Sequence, residues 1–300
     1  MKNILLIVNP VSGTLKGRGC LFDIIEAFSV RDICPTVMLT QYRGHASRIS
    51  EEAALSGKYE SIVCCGGDGT LNEVIAGMLK SGRDIPIGYI PAGSTNDFAT
   101  GIGLSSVPAD AATAVADAIL SGSSISLDMG RFGKNRYFTY IASFGAFTSS
   151  SYSTPQNIKN VFGHFAYLLQ GVKDFFQIKP VHAVCVADGQ RFEGDYVFCG
   201  VCNSFSVGGI VHLNDKTVNL SDGRFEVVLV RNPKTPAELS ELVNALLRSD
   251  LDCELIDFAE AKQIYFEVPT DTQWTLDGEQ ACDGDEIDIE NLNCAVRLLK

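Results

Sequence analysis

Hydrophobic residues follow two different rhythms along the chain. In the first part, short continuous apolar runs alternate with segments at helical spacing. The run Asn3–Val8 stops at Asn9-Pro10, and Leu21, Ile24, Ile25 and Phe28 then recur with a period near 3.6. Pro35–Leu39 predicts a second strand ending at Thr40, and His45–Leu55 a helix. Ser61–Cys65, Leu71–Leu79, Ile85–Ile90 and Ala109–Leu120 continue the series as strand, helix, strand and helix. Strands without polar alternation, separated by helices, predict a parallel sheet covered on both faces.

After Ser121-Gly-Ser-Ser124 short strand candidates dominate: Tyr137–Ala142, His182–Ala187, Tyr196–Cys202, Arg224–Val230, Gln263–Val268, Gln273–Leu276 and Glu286–Ile289. Helical patterns near Ile158–Phe176 and Pro236–Leu247 interrupt them. This grammar predicts a second, mainly antiparallel domain. The expected division is an α/β domain over 1–124 and a β-rich domain over 125–294, with the terminal strand, 295–299, a candidate to return to the first.

Composition narrows the function. The 300 residues are 46% hydrophobic and 20% charged, an ordinary globular mix. A net charge of -12 argues against nucleic acid as a partner. Ile4–Val8 is far too short to span a bilayer, which takes about 20 apolar residues, and it lacks a signal-peptide pattern. Ten cysteines, several in apolar runs, suit a reducing cytoplasm. Cys199 and Cys202 have CxxC spacing, but residues three apart on a strand face opposite ways, so no redox or zinc role is expected. The four histidines form no metal-ligand pattern.

The chemistry concentrates in Gly66-Gly67-Asp68-Gly69-Thr70, between a strand and a helix. Glycines let backbone approach a phosphate, and a helix N-terminus offers unpaired N–H groups and a positive dipole end. Asp68 is informative because a carboxylate beside phosphate is repulsive unless a metal ion or a transferable proton lies between them. No GxxxxGK[ST] motif occurs, which removes the P-loop alternative. Ser12 and Gly13 can also donate to phosphate, with Lys16 and Arg18 just beyond. Pro91-Ala-Gly-Ser-Thr95-Asn96-Asp97 adds hydrogen-bonding groups and a second carboxylate. Asn9–Gly13, Thr40, Gly66–Thr70 and Pro91–Asp97 all fall at the carboxyl ends of strands, where open parallel sheets bind ligands.

Asn9-Pro-Val-Ser-Gly13, Gly66-Gly-Asp-Gly-Thr-Leu-Asn72, Pro91-Ala-Gly-Ser-Thr-Asn-Asp-Phe98 and Asp277-Gly-Glu279 together resemble the diacylglycerol kinase catalytic-domain family, which includes bacterial lipid kinases and sphingosine kinases. The resemblance implies a phosphofructokinase-like nucleotide domain, a β-sandwich domain and an active site in the cleft between them. It implies an ATP- and Mg2+-dependent kinase acting on a lipid hydroxyl. Nucleotide contacts would fall on Asn9, Pro10, Ser12, Gly13, Thr40, Gly66, Gly67, Asp68, Gly69, Thr70, Asn72 and Thr95. Asn96, Asp97 and Asn203 would approach substrate, the last equally readable as packing, as are Gly208 and Gly209. Glu279 or Asp277 would take the substrate's proton, with Asp68 polarising it or holding Mg2+. Asp222, with the carbonyls of Asn219 and Arg224, resembles a structural Mg2+ loop.

Thr100 stands where the family often has Arg, and Ser94 where Thr is commoner. Two rivals remain: an NAD kinase-like or sugar-phosphate kinase, and a nucleotide- or lipid-binding regulator with a decayed site. The expected setting is cytoplasmic and peripheral at the inner membrane face, with a homodimer allowed. An apolar stripe from Val161 to Phe176, flanked by Lys159, Lys173 and Lys179, is the candidate lipid contact.

Overall fold

The computed structural model describes residues 1–13, 19–94, 96–145, 178–203, 206–207, 211–212, 220–248, 250–281 and 284–300. The expected helix near Ile158–Phe176 and residues Lys16, Arg18, Thr95, Gly208, Gly209 and Asn219 lie outside them. The chain divides into two compact units, Met1–Leu127 with Cys294–Lys300, and Asp128–Asn293.

The first unit is an α/β layer structure. Strands β1 (Lys2–Val8), β2 (Ile33–Leu39), β3 (Ser61–Gly66) and β4 (Ile87–Pro91) form a parallel sheet in the order β4-β3-β1-β2. Helices α1 (Leu21–Ser29), α2 (His45–Ser56), α3 (Asp68–Ser81), α4 (Asp97–Gly101) and α5 (Pro108–Ser121) complete it. Ile4, Leu6, Val8, Val63, Cys65 and Ile90 bury one face against α1 and α5. Strand alternation sends Leu5, Ile7, Ile62 and Cys64 to the other face, against α2 and α3. Gly77 lets α2 and α3 close on each other: a Cβ there would stand 2.0 Å from the Ser47 carbonyl oxygen. Ser50 Oγ also donates to the Val74 carbonyl across this contact at 2.7 Å.

The second unit is mainly antiparallel. Its elements are β5 (Ser124–Phe132, which starts in the first unit), β6 (Arg136–Phe138), β7 (Ile141–Gly145), β8 (Val181–Ala187), β9 (Gln190–Cys202), β10 (Ser206–Val207), β11 (Val211–His212), β12 (Phe225–Arg231), α6 (Pro236–Arg248), β13 (Ile256–Ala261), β14 (Gln263–Glu267), β15 (Trp274–Leu276), β16 (Glu279–Ala281) and β17 (Glu286–Leu299). The ladder runs β16-β15-β7-β9-β8-β14-β17. The C-terminal half of β9 pairs β12, which pairs β13. One face packs around Trp274, with ring centroids 4.8 Å to Phe144, 5.1 Å to Phe132 and 5.2 Å to Phe266. The other face, with Val197, Val228 and Val230, is covered by Leu239, Leu242 and Leu246 of α6. Cys199 belongs to the first face and Cys202 to the second, so the CxxC pair is split as expected.

Several strand expectations need correction, and β13 and β16 were not expected at all. The single strand over Tyr137–Ala142 is two, β6 and β7, because the amides of Thr139 and Tyr140 leave the ladder for the Asp277 carboxylate. Strand β5 was missed because Asp128 and Gly130 break its apolar run; a Cβ at Gly130 would stand 2.1 Å from the Phe138 ring. The strands expected over 286–289 and 295–299 are one, β17, which pairs β14 in the second unit and, through Leu298, runs parallel to Ile87 of β4 in the first. Among the described residues no helix is long and apolar enough to cross a membrane.

Candidate active site

In the first unit, the loops after β1, β3 and β4 meet backbone to backbone. A Cβ at Gly93 would lie 2.6 Å from Gly67 Cα, and one at Gly13 would lie 2.6 Å from the Ala92 carbonyl oxygen. Gly13 also has φ +57, the left-handed region that suits glycine. Specific bonds fix the loops. Asn9 donates from its amide to Cys65 and from Nδ2 to Thr70 Oγ1 at 2.9 Å, while its Oδ1 accepts from Val11 N. Ala92 N donates to the Gly66 carbonyl at 2.7 Å. Thr40 N donates to the Val8 carbonyl at 2.9 Å, which brings the loop after β2 to the same rim.

Gly67 is the N-cap of α3, and no side chain caps this helix. The half-buried Gly67, Asp68 and Gly69 that open it form a glycine-rich helix N-terminus, the kind of turn that can receive an anion, with one acidic residue in its first turn. Asp68 Oδ1 accepts a hydrogen bond from the Tyr89 hydroxyl at 3.2 Å. The neighbouring thiols are inert, since burial pushes Cys65 up to about 12 and Cys64 well above its usual range. Ser12 is buried at the rim and Asn72 half-buried on α3.

Asn96 is buried at φ +54 in the N-cap position of α4, but its side chain does not bond that helix; its Oδ1 accepts from Gly93 N at 2.8 Å and its Nδ2 donates to the Gly93 carbonyl. Its side chain therefore shapes the loop from within. Asp97 is the first residue of α4, and Thr100 Oγ1 donates back to the Asn96 carbonyl.

Sequence reasoning missed Glu73. Its carboxylate accepts from Gly44 N at 2.7 Å and Ala46 N at 3.2 Å, so α3 supplies the N-terminal cap that α2 lacks. His45, given no role from sequence, is buried, accepts from Gln41 N and stacks on Tyr42 with centroids 4.5 Å apart. Both hold the segment that follows Thr40.

In the second unit, Leu276 pairs with Glu279 across a two-residue turn. Asp277 and Gly278 both have positive φ, +50 and +82. Asp277 is buried, and its Oδ2 accepts from Thr139 N at 2.6 Å and Thr139 Oγ1 at 2.8 Å. Its Oδ1 accepts from Tyr140 N at 3.0 Å and Ile141 N at 3.1 Å. Burial pushes its carboxyl above the ordinary range, and the amide donors pull the other way. Glu279, two residues on, is exposed.

A second buried carboxylate, Asp128, was also missed. It accepts from Gly223 N at 2.6 Å, Asn293 Nδ2 at 3.0 Å and Asn291 Nδ2 at 3.3 Å. Its carbonyl accepts from Asn203 Nδ2 at 2.8 Å, and its amide donates to Leu220. Asn203 is buried in this network. The network holds the turn of Asp222, an exposed residue whose Oδ1 accepts from Arg224 N at 3.0 Å.

After that turn Glu226 is 6% exposed, and its Oε2 has no hydrogen-bond partner among the described residues. Burial, reinforced by the Asp222 and Glu260 carboxylates, pushes Glu226 up to about 8. Among the described residues no three His, Cys, Asp or Glu cluster as ligands. The donors present, the exposed Asp222 carboxylate and the Arg224 carbonyl, are hard oxygens, which fit Mg2+ completed by water.

Residues 3–132 match the family model of the diacylglycerol kinase catalytic domain. A diacylglycerol kinase of Bacillus subtilis (strain 168) is 29% identical over 279 residues, covering 93% of this chain and 90% of that protein. One from Staphylococcus aureus (strain bovine RF122) is 31% identical over 281 residues, covering 93% and 86%. A crystal structure of a diacylglycerol kinase from Bacillus anthracis has the same fold, with TM-score 0.74 and 20% identity over 99% of this chain and 96% of that one. With an identity of 31% sustained over nearly its whole length, the chain belongs to the diacylglycerol kinase family.

Proposed function

We propose that the protein is a lipid kinase that transfers the γ-phosphoryl group of ATP to a lipid hydroxyl, with Mg2+ required. The observation that carries this reading is the Gly66–Thr70 turn. It is a glycine turn at a helix start, packed against two further glycine loops, with Asp68 in it, which supports its reading as a phosphate cradle. Passive phosphate binding gives no reason for that carboxylate; phosphoryl transfer does.

In this reading backbone amides of the Gly67–Gly69 segment and the Ser12 hydroxyl donate to phosphate oxygens. Thr40, Asn72 and Thr95 complete the nucleotide contacts. Glu279 accepts the proton of the attacking hydroxyl, a role that an exposed carboxylate beside a rigid turn suits. Asp277, whose two oxygens already take four donors, holds that turn in place. Magnesium supplies charge neutralisation at the phosphates and, at the Asp222 turn, structural support. Asp222 and the Arg224 carbonyl would hold that second ion, with Asn219 the remaining candidate. A diacylglycerol-like acceptor is supported by the names of the relatives, and Asp97 is the carboxylate left for substrate contact.

Purified protein with Mg-ATP, offered diacylglycerol, phosphatidylglycerol, sphingoid bases, NAD and sugar phosphates, tests the reading. Labelled phosphate should appear in a lipid product, and Asp68→Asn should lower turnover at least about a hundredfold. Transfer to NAD or a sugar phosphate instead, or none from a folded nucleotide-binding protein, would overturn it.

A further inference from the structure

Tyr89 sits on β4, beside the strand that delivers the Gly66–Thr70 turn, and is fully buried. Its neighbours Ile90 and Ala92 face the α1–α5 side of the sheet. By alternation Tyr89 faces the side covered by α2 and α3. There its hydroxyl reaches the first residue of α3 and donates to Asp68 Oδ1 at 3.2 Å. The ring lies tilted against buried Phe98, with centroids 6.3 Å apart.

Core packing does not account for this side chain. The flanking positions of β4 are Ile87, Gly88 and Ile90, all buried, and an apolar residue would fill the place without bringing a hydroxyl out of water. A buried tyrosine hydroxyl needs a partner, and the partner here is the one carboxylate in the phosphate cradle. Burial, and after it the Asp68 carboxylate, push the phenol far above its ordinary range. It remains a proton donor through any assay pH.

We propose that Tyr89 is a positioning residue for phosphoryl transfer, its hydroxyl fixing the rotation of the Asp68 carboxylate and favouring the charged form. The inference rests on the reading of Asp68 as the group that works at the phosphates. Tyr89 touches no reacting atom, and its proton stays on the phenol oxygen throughout.

Tyr89→Phe tests this with the ring and its packing retained. The kcat should fall about three- to thirtyfold, the range for one hydrogen bond to a charged group that solvent or rearrangement partly replaces. The KM for nucleotide should stay within about twofold, because the altered group acts on turnover and not on uniform binding. The acid limb of the kcat–pH profile should move to higher pH, since a donor to the charged form has been removed. In an Asp68→Asn background the same change should have no further effect. An unmoved acid limb, or an equal fall in that background, overturns the proposal. So does a lower melting temperature with kcat and acid limb unchanged, which assigns Tyr89 to the core alone. If Asp68→Asn alone keeps near-normal turnover, the underlying reading fails as well. If Asp68→Asn collapses turnover while Tyr89→Phe behaves as wild type, only the Tyr89 inference fails.

Discussion

Replacing Asp277 by Asn exchanges one oxygen for an NH2 group in a site that uses both carboxylate oxygens. Asn tolerates the left-handed φ of +50 found there, so backbone strain does not confuse the result. The amide keeps one acceptor oxygen. If it stands where Oδ2 was, the amides of Tyr140 and Ile141 face an NH2 group; if it stands where Oδ1 was, the Thr139 amide and hydroxyl do. Two donors lose their acceptor either way, at about 1.5–3 kcal/mol each, and the other two keep only a neutral one. The Thr139 hydroxyl can rotate, and the buried charge with its desolvation cost disappears, which offsets part of the loss. The net expectation is roughly 3 kcal/mol less stability in the second unit. Trp274, the chain's one tryptophan, is fully buried in that unit, so its fluorescence reports unfolding there. With a urea m-value of about 2 kcal/mol per molar, the midpoint should fall by about 1.5 M. A shift under about 0.3 M at unchanged m would show that these four contacts do not hold the β6–β7 break, and that the turn bearing Glu279 is set by something else.

Two further outcomes follow from the turn at Asp222. Asp222→Ala should weaken a Mg2+ dependence separable from that of Mg-ATP; identical Mg2+ titrations at saturating Mg-ATP would reduce the loop to a plain turn. Glu226, pushed up to about 8 by burial, binds its proton more tightly folded than unfolded, where the value is about 4.3. Its contribution is complete below the unfolded value and is lost as pH rises through 8. In metal-free buffer the wild type should therefore lose on the order of 3 kcal/mol between pH 5 and pH 8 relative to Glu226→Gln. Parallel stability–pH curves for the two proteins would refute the assignment.

Legibility in the sequence followed the distance over which a residue finds its partners. The strand–helix rhythm of the first unit is local, and the Gly66–Thr70 turn could be read because its glycines answer close backbone approaches such as Gly67 against Gly93. The break between β6 and β7 could not, because the acceptor for the Thr139 amide lies 138 residues away. Asp128 was hidden in the same way, as its partners stand 95, 163 and 165 residues further on. In an isolated strand pattern such a carboxylate looks like an interruption. Tyr89 and Glu73 were hidden differently. Each lies in an element that was read correctly, but an apolar strand and an amphipathic helix give no sign of where one hydroxyl or one carboxylate points.

Asp277-Gly278 supports both a structural and a functional reading, and the two are compatible. Read alone, the dipeptide signals a hairpin; read with the other motifs, it marks a proton acceptor. The turn is a two-residue hairpin, with positive φ at both central residues and Leu276 paired with Glu279. That geometry separates two carboxylates that sequence could not rank. Asp277 is drawn inward, where donors from Thr139 to Ile141 saturate it, while Glu279 begins the return strand facing solvent. A proton acceptor needs an accessible oxygen and a fixed position, and no single carboxylate in this turn provides both. In the proposed reading Glu279 offers the accessible oxygen, and Asp277, by spending its own, fixes the position. Glu279→Gln should therefore remove turnover and leave the urea midpoint unchanged, whereas Asp277→Asn should lower both. The reverse pattern, with stability lost at Glu279 and turnover retained at Asp277, would exchange their roles.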